Sequence, residues 1–384
     1  MAMVRSTLGG PHDDSASPII PFVHVQAKGT HRELGRAVGE AAREQVLASV
    51  EFFRADFPAM TKGRLTFEEA ERQAPAFAEA ARLWVPQYVE ELEGLAEGSG
   101  VPFSRLLVLN CGEEFTADEP TAFAPAHSPR SGDHCTALAV VSDGRHIVGH
   151  NMDWYVIDAV NNVLFDLTGP DGTRVMGLAG APYLLMLGMN NHGIGNVSNS
   201  VHSTDNRVGV PNVFVRRSSL DARTLEEARD RGLLAARARG TNQFFADTGG
   251  RLWDLETSAT AYDLADHTAA GFMAHSNHYV SPALQAYEGY GGGESEVRLA
   301  TAERLLAEGL AAGDDPVELV ARVLRTHDPS PDDCICGHPD PNEPPADQGM
   351  TVGSLICDLD ERRMFACAGP PCENEYQVFE MGDA

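Results

Sequence analysis

Lysine is almost missing from this 384-residue chain: only Lys28 and Lys62 carry it, and the other basic residues among the 29 are arginine. Positive charge as a whole is scarce, with 56 acidic residues leaving a net charge of −27. Such a surface repels phosphate backbones and anionic lipid, which argues against nucleic acid or a membrane as partner. No apolar run approaches the length that spans a bilayer. The first twenty residues hold no apolar stretch of the kind a secretory signal needs and read as a loose leader. The cysteines (Cys111, Cys135, Cys334, Cys336, Cys357, Cys367 and Cys372) are seven, not an even set. With no signal, that count points to reduced thiols in a cytoplasmic protein. There is no internal repeat and no glycine-rich phosphate motif, the run at 291–293 reading as a plain loop. No cofactor is expected.

What is present is a core. Hydrophobic residues make up 43% of the chain, enough for one large folding unit or two ordinary ones. The front reads as helical after a short strand at 21–25. Apolar residues at helical spacing (Leu34, Val38, Ala41, Ala42, Val46, Val50) predict a helix from Gly29 to about Phe57. A second helical region covers about 67–98, to be broken or kinked by Pro75 and Pro86, and a short helix follows at 104–111. Residues 116–132 read as an exposed linker. Then the character changes. Short β-like runs at 135–141, 145–149, 161–168, 173–178, 182–188 and 194–199 are separated by turn residues such as Asp143-Gly144 and Asp171-Gly172. Helices return at 212–218 and 224–238, strands near 241–247, 250–256, 261–264 and 271–275, and helices at 296–311 and 315–325. A Pro/Asp-rich loop at 328–349 precedes three last strands at 351–358, 363–368 and 376–380. The pattern is an all-helical front followed by an α+β body with mostly antiparallel sheet.

Cys135 stands where the two halves meet, directly before the apolar strand Thr136–Val141. A thiol attacks only as thiolate and needs a base or cation nearby. A cysteine that became a new N-terminus would carry its own base, because an α-amine titrates at about 7.7–8.0. The same thiol can create that terminus by attacking the carbonyl of His134 to give a thioester that water opens.

Five stretches give this idea a pattern: Gly29, Glu33, Gly35 and Gly39; Asp133, His134, Cys135 and Thr136; Gly149, Asn151, Asp153 and Trp154; Ser276, Asn277 and His278; and Cys334, Ile335, Cys336 and His338. In order and spacing they resemble the acyl-coenzyme A:6-aminopenicillanic acid acyltransferase (isopenicillin N acyltransferase) family of autoproteolytic N-terminal-nucleophile cysteine hydrolases. The resemblance implies an α+β fold of the four-layer αββα sandwich type. It implies a single folding unit, 1–384, in which 1–134 and 135–384 become two segments after self-cleavage. Cys135 would be the nucleophile, Asn277 would donate to the oxyanion, and Asp153 would hold the polar groups around the new terminus. His134, Thr136, Asn151, Trp154 and His278 are candidates for substrate contact or support. The implied activity is acyl transfer from a small amide through a Cys135 thioester, usually to water. The runner-up is an acyl-coenzyme A-dependent N-acyltransferase of penicillin-tailoring type. Two positions depart from the family: His134 stands where glycine is frequent, and Gln348–Thr351 occupies the place of an arginine.

A reading of another class is a non-catalytic or zinc-stapled binding protein. Cys334, Cys336 and His338, with Cys367 and Cys372 later, invite zinc, but structural sites space paired cysteines by two to four residues and here the gap is one. No metal ligand is therefore assigned.

Overall fold

The computed structural model describes residues 22–116, 135–289, 293–330, 333–342 and 348–382. The expected leader, the linker with Asp133 and His134, and parts of the loops at 291–293 and 328–349 lie outside these residues. A strand, β1 (Val23–Lys28), opens the described chain. Seven helices follow: α1 (His31–Ala41), α2 (Arg43–Met60), α3 (Phe67–Gln73), α4 (Pro75–Trp84), α5 (Pro86–Ser99), α6 (Phe103–Asn110) and α7 (Gly112–Thr116). Thr30 with Glu33 and Thr66 with Glu69 form reciprocal capping boxes that start α1 and α3. Pro75 and Pro86 occupy the first turns of α4 and α5, where a missing N–H costs nothing. The single helix expected over 29–57 is two, parted at Ala42, whose backbone leaves the helical region.

Glycine decides how α1 and α5 cross. A Cβ added to Gly35 would lie 1.8 Å from the Glu91 carbonyl oxygen, and one on Gly94 2.0 Å from that of Arg32. Gly39 and Gly98 repeat the relation one turn on. The two backbones touch, so the glycine spacing of the first helix is a packing device.

The body contains β2 (Cys135–Ser142), β3 (Arg145–Tyr155), β4 (Asn162–Thr168), β5 (Arg174–Gly180), β6 (Gly188–Asn190) and β7 (Ile194–Asn199). Next come α8 (Asn212–Leu220), α9 (Leu225–Gly232), β8 (Thr241–Asp247), β9 (Leu252–Thr257), β10 (Tyr262–Asp266) and β11 (Phe272–His275). The chain continues through α10 (Glu294–Ala312), α11 (Pro316–Leu324), β12 (Gly349–Asp358), β13 (Arg363–Ala368) and β14 (Gln377–Glu380). One sheet has eight strands in the order β1-β4-β5-β6-β7-β8-β9-β10; the other has six, in the order β11-β2-β3-β12-β13-β14.

Three corrections follow. The short strand expected at 21–25 is present as β1, but it joins the eight-stranded sheet as an edge strand parallel to β4, so the front is not a purely helical layer. The apolar run 182–187 is not strand; pairing starts only at Gly188, and Leu184, Leu185 and Leu187 are buried without a ladder. The helix expected to 238 stops at Gly232, where a Cβ would meet Gln243, Leu255 and Phe245.

Side-chain alternation sorts the core into layers. Ala137, Ala139 and Val148 of the six-stranded sheet meet Leu164, Met176, Leu178 and Phe244 of the other between the sheets. Leu138, Val140 and Ile147 point the opposite way, onto Leu306, Val320 and Leu324 of α10 and α11. Val163, Phe165 and Val175 pack against the front helices through Leu34, Phe53 and Leu92. The result is the expected α+β, four-layer αββα sandwich. Helix α5 is tied to α8 by Glu91, which accepts from Arg217 at 2.9 and 3.0 Å with both side chains buried.

Candidate active site

Cys135 is the first residue of β2 and lies opposite Met152 of β3. Its backbone N–H donates to Asn277 Oδ1 at 2.8 Å. Its carbonyl oxygen accepts from Arg298 Nη1 at 2.6 Å. Arg298 Nη2 also donates to Asn277 Oδ1, at 2.9 Å, closing a ring around the residue. Thr136 adds its Oγ1 as a further acceptor for Arg298 at 3.2 Å.

Asn277 follows β11, which pairs with β2 so that His275 faces Ala137. Two features fix it. Its N–H donates to Ser295 Oγ at the start of α10, and its Nδ2 donates to the Ser200 carbonyl at 3.0 Å. His278 shares Ser295 through its Nδ1, at 2.7 Å, which makes it a support of this segment. Asp153, near the end of β3, is buried and accepts from Thr351 Oγ1 at 2.5 Å. Asn151 faces away from the substrate side: its Nδ2 donates to the carbonyls of Leu324 and Ile335. Cys135, Asp153 and Asn277 are thus brought to one region, with Thr136, Asn151 and His278 holding the frame. His134 lies outside the described residues.

A cavity of about 200 Å³ opens beside Cys135, between the sheets and the front helices. One wall is aromatic and includes Phe53, Trp154, Tyr155 and Tyr183. Trp154 stands 6.2 Å from Phe53 and 5.2 Å from Tyr155, centroid to centroid, and its Nε1 is buried with no hydrogen-bond partner among the described residues. The other end is polar. Glu113 there accepts from both Arg216 Nη2 (2.9 Å to each oxygen) and Ser200 Oγ (2.7 Å). Burial pushes its pKa up, but Arg216 and Arg239 outweigh burial and hold it at about 2. Its neighbour Glu114 is raised by burial to about 7. His150, also on the wall, donates through Nε2 to the Ser198 carbonyl, and burial lowers its pKa to about 4, so it is neutral at pH 7.

Arg298 was not found in the sequence reading. Its signal is a charge on the apolar face of a helix: Arg298, Ala302 and Leu306 recur at intervals of four and all are buried. The Glu113 cluster carried no such signal, because Glu113 of α7 meets partners from α8, the segment after β7 and the segment before β8.

Residues 140–333, half of the chain, match the family model for acyl-coenzyme A:6-aminopenicillanic acid acyl-transferase. Among curated proteins, the chain is 22% identical over 258 residues to the 40 kDa form of acyl-coenzyme A:6-aminopenicillanic-acid-acyltransferase of Emericella nidulans, covering 67% of this chain and 69% of that one. It is 26% identical over 265 residues to the β-alanyl-dopamine/carcinine hydrolase of Drosophila melanogaster, covering 62% and 64%. Solved structures that it resembles include penicillin V acylase from Agrobacterium tumefaciens (TM-score 0.41, 17% identity, 61% of this chain and 82% of that one). Another is a conjugated bile acid hydrolase from Clostridium perfringens (TM-score 0.43, 12% identity, 65% and 97%). With half of its length matched to one family model, the chain belongs to the acyl-coenzyme A:6-aminopenicillanic acid acyltransferase family.

Proposed function

We propose that this protein is a cysteine amidohydrolase that matures by cutting its own 134–135 bond and then cleaves a small amide through a Cys135 thioester. The observation that carries the reading is the grip on Cys135 beside the cavity: Asn277 on its nitrogen, Arg298 on its carbonyl. In maturation the thiol attacks the His134 carbonyl, the peptide nitrogen leaves with a proton, and water opens the thioester. The products are a carboxylate on His134 and an α-amine on Cys135. That amine takes the N–H position already held by Asn277 Oδ1. The Arg298 cation nearby favours its neutral form, which is the base the thiol needs.

In turnover the thiolate attacks the amide carbon, and the α-amine returns its proton to the departing amine. One Nδ2 hydrogen of Asn277 is spent on Ser200; the second is the donor we assign to the oxyanion. Asp153, anchored by Thr351, shapes the mouth beside the new terminus. Water then releases the acid. The cavity is small beside the roughly 300–1,000 Å³ of sites that take drug-sized ligands, and its aromatic wall suits a compact apolar or aromatic half of the substrate.

Acyl-coenzyme A-dependent N-acyl transfer is the second reading, favoured by the fungal relative's name. The net charge of −27 disfavours a ligand rich in phosphate, and the insect relative is named as a hydrolase. Intact-mass spectrometry with N-terminal sequencing tests the reading. Two fragments, one beginning at Cys135, support it. A single full-length mass would set it aside in favour of a non-catalytic protein.

A further inference from the structure

Four metal-binding side chains from three separate segments converge behind the active-site strand β3. His327 lies just past α11, Cys336 and His338 lie in the following loop, and Cys372 lies in the connection from β13 to β14. One donor atom from each is within 4.8 Å of every other. Cys336 Sγ is 3.5 Å from Cys372 Sγ, and His338 Nε2 is 3.1 Å from Cys372 Sγ and 4.0 Å from Cys336 Sγ. His327 Nε2 is 3.1 Å from His338 Nε2. With zinc bonds of about 2.3 Å to sulfur and about 2.0–2.1 Å to nitrogen, tetrahedral ligands stand roughly 3.3–3.8 Å apart. The measured separations bracket that range.

We propose that these four residues form a structural zinc site, Cys2His2, that clamps the 327–338 segment to the β13–β14 connection. Two thiolates and two neutral imidazoles are the donor set that selects a tetrahedral, borderline-soft ion. Binding releases two thiol protons, and the site is then electrically neutral. His338 is oriented for it: while its Nε2 faces the cluster, its Nδ1 lies 3.5 Å from Glu373 Oε1, the carboxylate partner that metal-bound histidines commonly have. The one-residue spacing of Cys334 and Cys336 does not count against the site, because Cys334 is not part of it. Its Sγ turns to the Cys336 carbonyl at 2.9 Å.

The clamp is coupled to the active-site strand through the loop backbone. Gly337 N–H donates to Thr351 Oγ1 at 2.9 Å, and the same hydroxyl donates to Asp153. Ile335 presents its carbonyl to Asn151. Zinc therefore holds the backbone that sets the Asp153 carboxylate, without touching the substrate cavity, and whether or not the 134–135 bond is cut.

The test is metal analysis of the tag-free chain, purified under reducing conditions and dialysed against micromolar zinc. Stoichiometric zinc is expected. After chelation, cobalt should restore the site with a thiolate-to-cobalt charge-transfer band. His327→Ala, at an exposed position, and Cys372→Ser should each remove the band and the bound zinc, and Glu373→Gln should weaken zinc about 10–100-fold. Three outcomes would overturn the proposal: wild-type chain without metal, equal binding by the His327→Ala, Cys372→Ser double variant, which would mark adventitious zinc only, or a mass two hydrogens lighter from a Cys336–Cys372 disulfide.

Discussion

Asn277 accepts the backbone N–H of Cys135 at 2.8 Å, across 277 − 135 = 142 residues of sequence. The contact is made by the main chain of one residue and the side chain of the other, so a substitution at Cys135 that keeps the backbone N–H, as alanine does, leaves the donor in place. That separates the chemistry of the thiol from the geometry of the site.

Cys135→Ala is accordingly expected to fold, to remain a single chain and to be inactive. Intact-mass measurement decides it; normal cutting of this variant would remove Cys135 from the mechanism.

Asn277→Ala is expected to lose turnover by about 100–1,000-fold, the usual cost of an oxyanion donor. Arg298→Ala should lose about 10–100-fold, in line with a hydrogen bond to a charged group worth about 1.5–3 kcal/mol. It should also move the pH–rate profile in the alkaline direction, since the cation that favours a neutral α-amine is gone. Rates close to wild type in either variant would remove that residue from the site.

Gly35→Ala should destabilise the chain by at least about 1–3 kcal/mol, because the added methyl has only the Glu91 backbone to displace. Gly112→Ala, with nothing within 4 Å of the new methyl, is the control and should stay within about 0.5 kcal/mol. Urea midpoints of the two variants compare them directly.

The stability of the fold should fall on both sides of neutrality. His150 is held at about 4 by burial, so its contribution is complete above about 6.5 and is lost as pH falls through 4. His275 behaves in the opposite sense. Burial pushes it down, but Asp254 and Glu256 outweigh burial and lift it to about 9. Its contribution is complete below about 6.5 and is lost as pH rises through 9. Denaturation curves against pH should show the alkaline loss shrink in His275→Gln and the acid loss shrink in His150→Gln.

Much of this was legible because the local chemistry of strands and turns is strong. Asp143-Gly144 does turn β2 into β3, with both residues at positive φ, and the proline positions do start helices. The five short motifs single out Cys135, Asp153 and Asn277; the local β2–β3 hairpin carries Asp153 toward Cys135, while Asn277 depends on β11 pairing with β2, a contact no local pattern encodes. Arg298 was missed because an arginine in a helix is read as a solvent-facing residue. The run 182–187 was misread because burial without hydrogen-bonded neighbours has the same apolar signature as a strand. His327 and Cys372 join Cys336 and His338 only through the meeting of three distant segments.

The strand β1 has one further consequence. It lies upstream of Cys135, yet all six of its residues are in register with β4, downstream. A cut at 134–135 would leave this strand laced into the other piece, with Leu34, Phe53 and Leu92 still packed on Val163 and Phe165. The mature protein would then run as two bands in denaturing electrophoresis and as one particle on a sizing column, its pieces inseparable short of unfolding.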